Sequence, residues 1–471
     1  MTILPVNPAE NASPDALRAF LAQCRETARS DGRNKLVSIS IAVGALDPLA
    51  VLESIFEPNQ PHFYTERPGL ETAIAGAEAI LSHTAHGADR FSSVQRFVDD
   101  TLAHTIAVGA VDAPFGGPHF FTSFTFLDEV EAGEPFPAAQ VFVPRWQVAR
   151  AGAKTTAVAN LLVAPDADLA ALTERVWRAH AKFAGFNYSS TADEPAPFEP
   201  TFLRSEVGDY RAAVAKAINR IGAEEFQKIV LARAIDLTAD QPLHPLRVLN
   251  GLRQRFPDCY AFSAATGRGP SFIGASPERL VRVSQNVFET EALAGSVRRG
   301  LGASEDAALA AALQHNEKDL REQRHVLDSI VRRLAPLGLK LEFDEMPAIR
   351  RLANVQHLVT PIRAALPDGV RLLDALARLH PTPAVGGTPR EAAVKSIREL
   401  EGFPRGLYAG ALGWLNARGG GEFFVGIRSA LIDGASARVY AGAGIIAGSE
   451  PDREYAETEL KFHAVQDALL G

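Results

Sequence analysis

Runs in which apolar and polar residues alternate recur along this chain, and they limit its fold more than any other feature. GGPHFFTSFTF (116–126) and QVFVPRWQVAR (140–150) both alternate in this way. A period of two sends successive side chains to opposite faces of an extended strand, which is the pattern of an antiparallel sheet with two unlike faces. Further strand-like runs lie at Leu36–Val43, Thr105–Val111, Lys154–Val163, FQKIVLARAIDL (226–237), in pairs around 260–300, and at 408–414, 422–431 and 437–442. Helical patterns separate them: DALRAFLAQCRETA (15–28), Asp89–His104, a helix from Asp166, Asp209–Ile221, two stretches near 305–335 and 371–378, and a last helix from about 451. Long antiparallel runs mixed with helices predict a large α+β fold.

The 471 residues suffice for two or three average domains or one large one. The segment YSSTADEPAPFEP (188–200), rich in Pro, Ser and acids, reads as a linker and divides a half at 1–200 from a half at 201–471. The formal charge of −8, with no basic arm to offset it, argues against nucleic acid as a partner. A small anion remains a possible ligand, because local Arg and Lys decide that. Cys24 and Cys259 belong to no paired or metal-binding pattern, so reduced thiols in a cytoplasmic protein are expected. The first residues lack a basic start followed by an apolar core, and no apolar run reaches spanning length, so neither a signal peptide nor a membrane segment is expected. No pairing element stands out, and a monomer is the expectation.

The unusual local patterns lie after residue 225. In the last helix Glu454, Glu457 and Lys461 share a face, and in EKDLREQR (317–324) Asp319 and Glu322 stand three apart. Two helices that each present an acid pair could hold a hard cation such as magnesium; two solvated charged faces have the same spacing. Arg428 lies in GEFFVGIRSALI, where alternation places Phe424, Gly426, Arg428 and Ala430 on one face. Small neighbours there suit bidentate capture of a carboxylate, and a structural ion pair is the other reading. YAGAGII (440–446) ends a strand in a Gly-containing run, and LAGS (293–296) is similar; both backbones could approach an anion or simply turn. Lys228 opens KIVLARAID on a face with Val230, Ala232 and Ala234, where desolvation would favour a base, unless it snorkels from the strand end. Glu278, beside Pro277 in IGASPERL, is either an acid of raised pKa or a turn residue.

Taken together and in order, FQKIVLARA (226–234), FIGASPERL (272–280), ETEALAGSVRRG (289–300), EKDLREQRHVLDSI (317–330), VQHLVTPI (355–362), LHPTPAVGGTP (379–389), GLYAGALGW (406–414), FFVGIRSA (423–430) and YAGAGIIAGSEPDREYAETELK (440–461) closely resemble the chorismate-utilising enzymes. FGGPHFF and FVPRWQV in the first half resemble the menaquinone-type isochorismate synthases. The resemblance implies one large α+β domain with extended antiparallel sheets packed together, helices outside, and a cleft in the C-terminal half. It implies Glu322 and Glu457 as magnesium ligands, with Asp319 and Glu454 as outer acids. Arg428, Tyr408 and the backbone at Gly442 would clamp the enolpyruvyl carboxylate; Lys461, Gly295 and Ser296 would face the ring carboxylate. Lys228 would activate water, Glu278 would protonate the departing hydroxyl, and His357 matches a family active-site histidine.

The resemblance also discriminates among activities. Members that use ammonia tend to carry Gln where Lys228 stands, and aminodeoxychorismate synthases commonly carry a nucleophilic lysine where this chain has Ala294. Anthranilate and salicylate synthases usually have Thr at Ala384. The implied activity is therefore reversible, magnesium-dependent conversion of chorismate to isochorismate, for menaquinone or alternatively for a catechol siderophore. The rivals are a salicylate synthase, an anthranilate-type subunit and a non-catalytic binding protein. Leu320 and Gln323 depart from the family pattern of Arg and His, which leaves the acids in register and alters their surroundings.

Overall fold

A computed structural model describes residues 1–3, 13–184, 200–352 and 355–470. Nearly all of the segment read as a linker, 188–199, lies outside the described residues. Among those described, 21 strands are joined edge to edge into one hydrogen-bonded network with helices around it. The expected α+β architecture is thus present, with its sheets continuous through shared strands.

Most of the network runs in the order Phe202–Val207, Lys228–Ala239, Ser436–Ile446, Ser429–Asp433, Ser271–Ser276, Tyr260–Thr266, Pro61–Arg67, Thr72–Ala85 and Ala139–Ala151. It continues through His119–Phe124, Ala411–Asn416, Gly421–Val425, Arg279–Ser284, Val287–Arg298 and Val355–Ala365 to Ala348–Arg351. All of these pairings are antiparallel. Strand Ala139–Ala151 forks: its first residues pair with His119–Phe124 and its last with Lys154–Val163, which leads on to Lys35–Val43. Strands from before and after residue 200 are paired directly, Pro61–Arg67 with Tyr260–Thr266 and His119–Phe124 with Ala411–Asn416.

The curled network packs on itself. Phe424 stacks on Tyr260 with ring centroids 4.9 Å apart and lies 5.1 Å from Phe262, although many strands separate them in the sheet order. Phe120, Phe121, Phe124, Phe262, Phe272, Phe288 and Phe423 are fully buried, each contributing roughly 2 kcal/mol through removal of apolar surface from water.

Several elements differ from the sequence reading. The helical stretch near 305–335 is two helices, Ala303–His315 and Glu317–Leu334. Asn316 separates them because its side chain accepts from the backbone N–H groups of Lys318 (2.9 Å) and Asp319 (3.2 Å), which starts a new helix. The strand expected at 422–431 is also two, Gly421–Val425 and Ser429–Asp433. Arg428 stands in the break with φ 51°, so simple alternation does not set its direction. The strand expected over 437–442 is longer, Ser436–Ile446, and ends with YAGAGII as expected. The strand expected from 408 begins at Ala411 and leaves Tyr408 in the preceding turn. Helix Arg390–Glu401 had no separate place in that reading.

Candidate active site

The strand pair Lys228–Ala239 and Ser436–Ile446 forms the floor of the site. Lys228 faces Ile446 and Ala232 faces Gly442 in its register. A side chain at Gly444 would begin 3.1 Å from Lys228 Cε, and one at Gly442 would begin 2.7 Å from the Tyr408 hydroxyl. Glycine at both places lets two functional side chains lie directly on the strand. Tyr408 is buried and stacks on Tyr440, centroids 5.1 Å apart; burial raises its hydroxyl pKa.

Two helices border this floor. Helix Glu317–Leu334 buries Gln323, Val326, Leu327, Ile330 and Leu334, an apolar stripe one residue out of phase with Glu322. Gln323, the departure from the family pattern, donates to the Ala292 carbonyl (3.0 Å) and the Thr360 hydroxyl (2.9 Å), so it ties the helix to the strands beside it. Helix Pro451–Leu469 buries Thr458, Phe462 and Val465 against the sheet. Fully buried Arg233 holds its underside, with Nη1 2.8 Å from Glu459 Oε2.

The lysines and acids are paired across these elements. Lys228 Nζ is 2.9 Å from Glu322 Oε1, so the lysine read as lying among apolar neighbours has a carboxylate partner. Lys461 Nζ is 2.7 Å from Glu457 Oε1 and 2.8 Å from the Gly442 carbonyl, which brings the last helix onto the glycine strand. Burial, with Glu322 close by, raises the pKa of Asp319. Burial raises that of Glu454 as well, and Glu457 adds to the effect. Among the described residues no three His, Cys, Asp or Glu side chains already converge as a metal cage. The donor chemistry nevertheless suits a hard divalent ion: four carboxylates, two per helix, with like charge crowding each pair. Such an ion needs only one or two direct carboxylates when water or substrate completes its shell.

Glu278 lies in the two-residue link between Ser271–Ser276 and Arg279–Ser284, with its side chain buried. Burial and the nearby Glu291 carboxylate push its pKa up to about 7, against the Thr382 hydrogen bond and the Lys228 charge. Thr382 Oγ1 donates to Glu278 Oε1 at 3.4 Å. Glu291 stays ionised because Arg350 grips it through contacts of 2.6 and 2.8 Å. Thr382 belongs to the same turn as Ala384, closed by Val385 and Gly386 N–H groups on the Thr382 carbonyl.

LAGS forms a bulge. The register of Val287–Arg298 with Val355–Ala365 shifts between Ala294 and Ser296, and Gly295 takes φ 73°. A side chain at Gly295 would begin 3.2 Å from Asp319 Cβ. The bulge turns Ser296 to His357, with Oγ 2.7 Å from Nδ1. Burial and the charge of Arg428 lower the His357 pKa to about 4. Arg428 itself has its pKa lowered by burial, and its hydrogen-bonding neighbour is Cys259 Sγ at 4.0 Å. Among the described residues Arg428 forms no carboxylate ion pair, the partner that the structural reading would need. Cys24 and Cys259 are buried free cysteines.

The site residues singled out in the sequence thus lie on the floor strands, the two bordering helices, the bulge and its partner strand Val355–Ala365, or the turns between them. Four neighbours were missed: Thr382, Glu291, Glu401 and Arg405. Glu401 and Arg405 stand four apart, an ordinary helical spacing that gives no hint of their burial.

A buried acid, a recessed guanidinium and two lysine–glutamate pairs thus lie on or around a glycine-bearing strand pair in a large α+β fold. The chain belongs to the chorismate binding enzyme family, which it matches over residues 19–470. It is 35% identical over 460 residues to the salicylate biosynthesis isochorismate synthase of Pseudomonas aeruginosa, covering 96% of this chain and 94% of that one. It is 32% identical to the isochorismate synthase MenF of Bacillus subtilis, covering 93% and 94%. Its fold matches the solved structure of MenF, the menaquinone-specific isochorismate synthase from Escherichia coli, with TM-score 0.78, 27% identity, and coverage of 95% and 100%. Among the described residues no helix is long and apolar enough to cross a membrane.

Proposed function

We propose that this chain is an isochorismate synthase, an isomerase that adds water at C2 of chorismate while the C4 hydroxyl departs. The observation that carries the reading is Glu278: a buried carboxyl with a pKa of about 7, within electrostatic reach of Lys228. Water addition and hydroxyl loss need a base and an acid together, and these two groups supply them. Lys228 takes a proton from the attacking water. The ring double bonds shift, the C4–oxygen bond breaks, and the proton of Glu278 leaves with that oxygen as water. One water enters and one departs, so the reaction is an isomerisation and runs in both directions.

Arg428, Tyr408 and the Gly442 backbone would hold the enolpyruvyl carboxylate, and Lys461, Gly295 and Ser296 the ring carboxylate, beside His357. Glu322 and Glu457 would bind magnesium directly, with Asp319 and Glu454 on its waters; like-charge crowding within each acid pair supports this set. When bound, magnesium supplies charge neutralisation at the ring carboxylate and draws electron density from the diene. Holding substrate by both carboxylates fixes the attacked carbon relative to acid and base.

Ala384 carries no hydroxyl, and this supports release of isochorismate over its onward conversion to salicylate and pyruvate. The two MenF likenesses favour menaquinone as the destination. The reading is of a cytoplasmic monomer in two interdependent halves, 1–200 and 201–471, with chorismate as its substrate. Incubation with chorismate and magnesium, followed by product separation and a pyruvate assay, tests it. Isochorismate without pyruvate is expected. Salicylate with equal pyruvate, or chorismate bound and unconsumed, would overturn it.

A further inference from the structure

Strand Lys228–Ala239 has an incomplete edge. On one side it pairs with Ser436–Ile446 along nearly its whole length. On the other, Lys228 and Ile229 pair with Gly387–Thr388, and Ala234 to Ala239 pair with Phe202–Val207. No strand covers the residues between, among the described residues. Unpaired backbone groups in a buried setting are costly, yet the N–H and carbonyl of Val230 and the N–H of Ala232 are satisfied. Val230 N–H donates to the Gly386 carbonyl at 2.9 Å. Its carbonyl accepts from Arg405 Nη2 at 2.7 Å, and Ala232 N–H donates to Glu401 Oε1 at 2.6 Å. Two side chains stand where a strand backbone would be.

The same pair reaches the rest of the site. Arg405 Nε and Nη2 donate to the two oxygens of Glu401 at 2.9 and 2.5 Å, and Nη1 donates to the Val385 carbonyl at 2.9 Å. Val385 follows Ala384. The Arg405 guanidinium lies 5.8 Å from the centre of the Tyr408 ring, and the Arg405 carbonyl accepts from Tyr408 N–H at 2.9 Å. Both side chains are buried. Lysine could not reproduce this, because one ammonium cannot reach three acceptors held in the plane of a guanidinium.

We infer that Glu401 and Arg405 are positioning residues that replace a missing strand segment and fix the Lys228 strand against the Ala384 turn and Tyr408. The inference rests on the isochorismate synthase reading for its assay. Neither residue touches the reacting atoms. The pair sets the distance between the group that activates water and the turn that carries Thr382, the hydrogen-bond partner of Glu278.

The test uses the full chain with magnesium and chorismate, and compares R405K, E401Q and E401A with R253K. Arg253 makes a comparable partly buried pair with Asp47, at 2.7 and 2.9 Å, away from the site. R405K is expected to lower kcat on the order of 10- to 100-fold, with KM changed far less, because small misplacements of reacting groups act on kcat. E401Q keeps an acceptor for Ala232 N–H and should retain more kcat than E401A. R253K should lower the melting temperature and leave kcat unchanged. A folded R405K with kcat within about twofold of the parent, equal losses in E401Q and E401A, or a kcat loss in R253K matching that of R405K would overturn the inference. Failure of R405K, E401Q and E401A all to fold would make the pair a fold requirement and overturn it too. An inactive parent chain would instead overturn the functional reading.

Discussion

Lys228 and Glu322 form an ion pair of 2.9 Å between the strand that floors the site and the helix that borders it. In the proposed mechanism the lysine serves water and the glutamate serves magnesium, so each must give up the other. Replacing Lys228 with Met should abolish turnover and tighten magnesium binding. The pair is partly exposed, with the side chains 19% and 42% accessible. Its loss should therefore shift magnesium affinity by no more than about fivefold, corresponding to an ion pair of about 1 kcal/mol or less. Isothermal titration calorimetry checks this, and weaker binding in K228M would contradict it.

Magnesium should also stabilise the fold by mass action, by about 2.7 kcal/mol at one hundred times its Kd. E322Q and E457Q should lose most of that gain in thermal denaturation. A full gain in both variants would remove these helices from the metal site.

Glu278 sets a pH limit on activity. Its pKa is raised to about 7, so the carboxyl is protonated and able to donate below that value. kcat/KM should fall about tenfold per pH unit above it. The stability linkage has the same sign. The contribution is complete below the ordinary glutamate value of 4.5 and is lost as pH rises through about 7, when a buried carboxylate must ionise. E278Q avoids that ionisation. It should be inactive yet more stable than the parent at pH 8, by up to about 3 kcal/mol. Denaturant melts at pH 5 and pH 8 would show whether the gain appears only at the higher pH.

Arg428 is a recessed positive charge, and among the described residues no acid pairs with it. R428M should raise KM for chorismate on the order of 100-fold, the loss of a bidentate charge-assisted contact of about 3 kcal/mol. Its melting temperature should stay level or rise, because an uncompensated guanidinium has been removed. A fall in melting temperature with KM unchanged would give Arg428 a structural role.

His357 should be neutral throughout the working range. Burial, with Arg428 close by, lowers its pKa to about 4. As pH falls from the ordinary histidine value of 6.5 towards 4, the unfolded chain takes up the proton first, so this group lowers stability across that window. Imidazole NMR signals of His357 should not titrate between pH 5 and 9. An inflection near 6.5 would place the ring in a more open setting.

Much of the fold, and the residues that make up the proposed site, could be read in the sequence, for different reasons. Helix and strand periods placed Arg90–Ala103, Tyr210–Gly222 and the long strands well, because each buries one face. The site motifs were legible by resemblance, since spacing alone left Asp319, Glu322, Glu454 and Glu457 looking like solvated helix faces. Arg428 was misplaced because a single left-handed residue breaks the alternation, and arginine carries no warning of it. Glu401 and Arg405 were missed because their partners are backbone groups of Val230, Ala232 and Val385, far away in sequence. Backbone partners leave no side-chain pattern to read.

The strand pairs that join the two halves of the chain have a consequence for biosynthesis. Strands Pro61–Arg67 and His119–Phe124 find neighbours in Tyr260–Thr266 and Ala411–Asn416, which leave the ribosome much later. Until then the nascent first half offers open strand edges flanked by Phe63, Phe120, Phe121 and Phe124, the kind of surface that recruits other chains. Closure must wait for contacts of long sequence separation, so slow refolding is built into the topology.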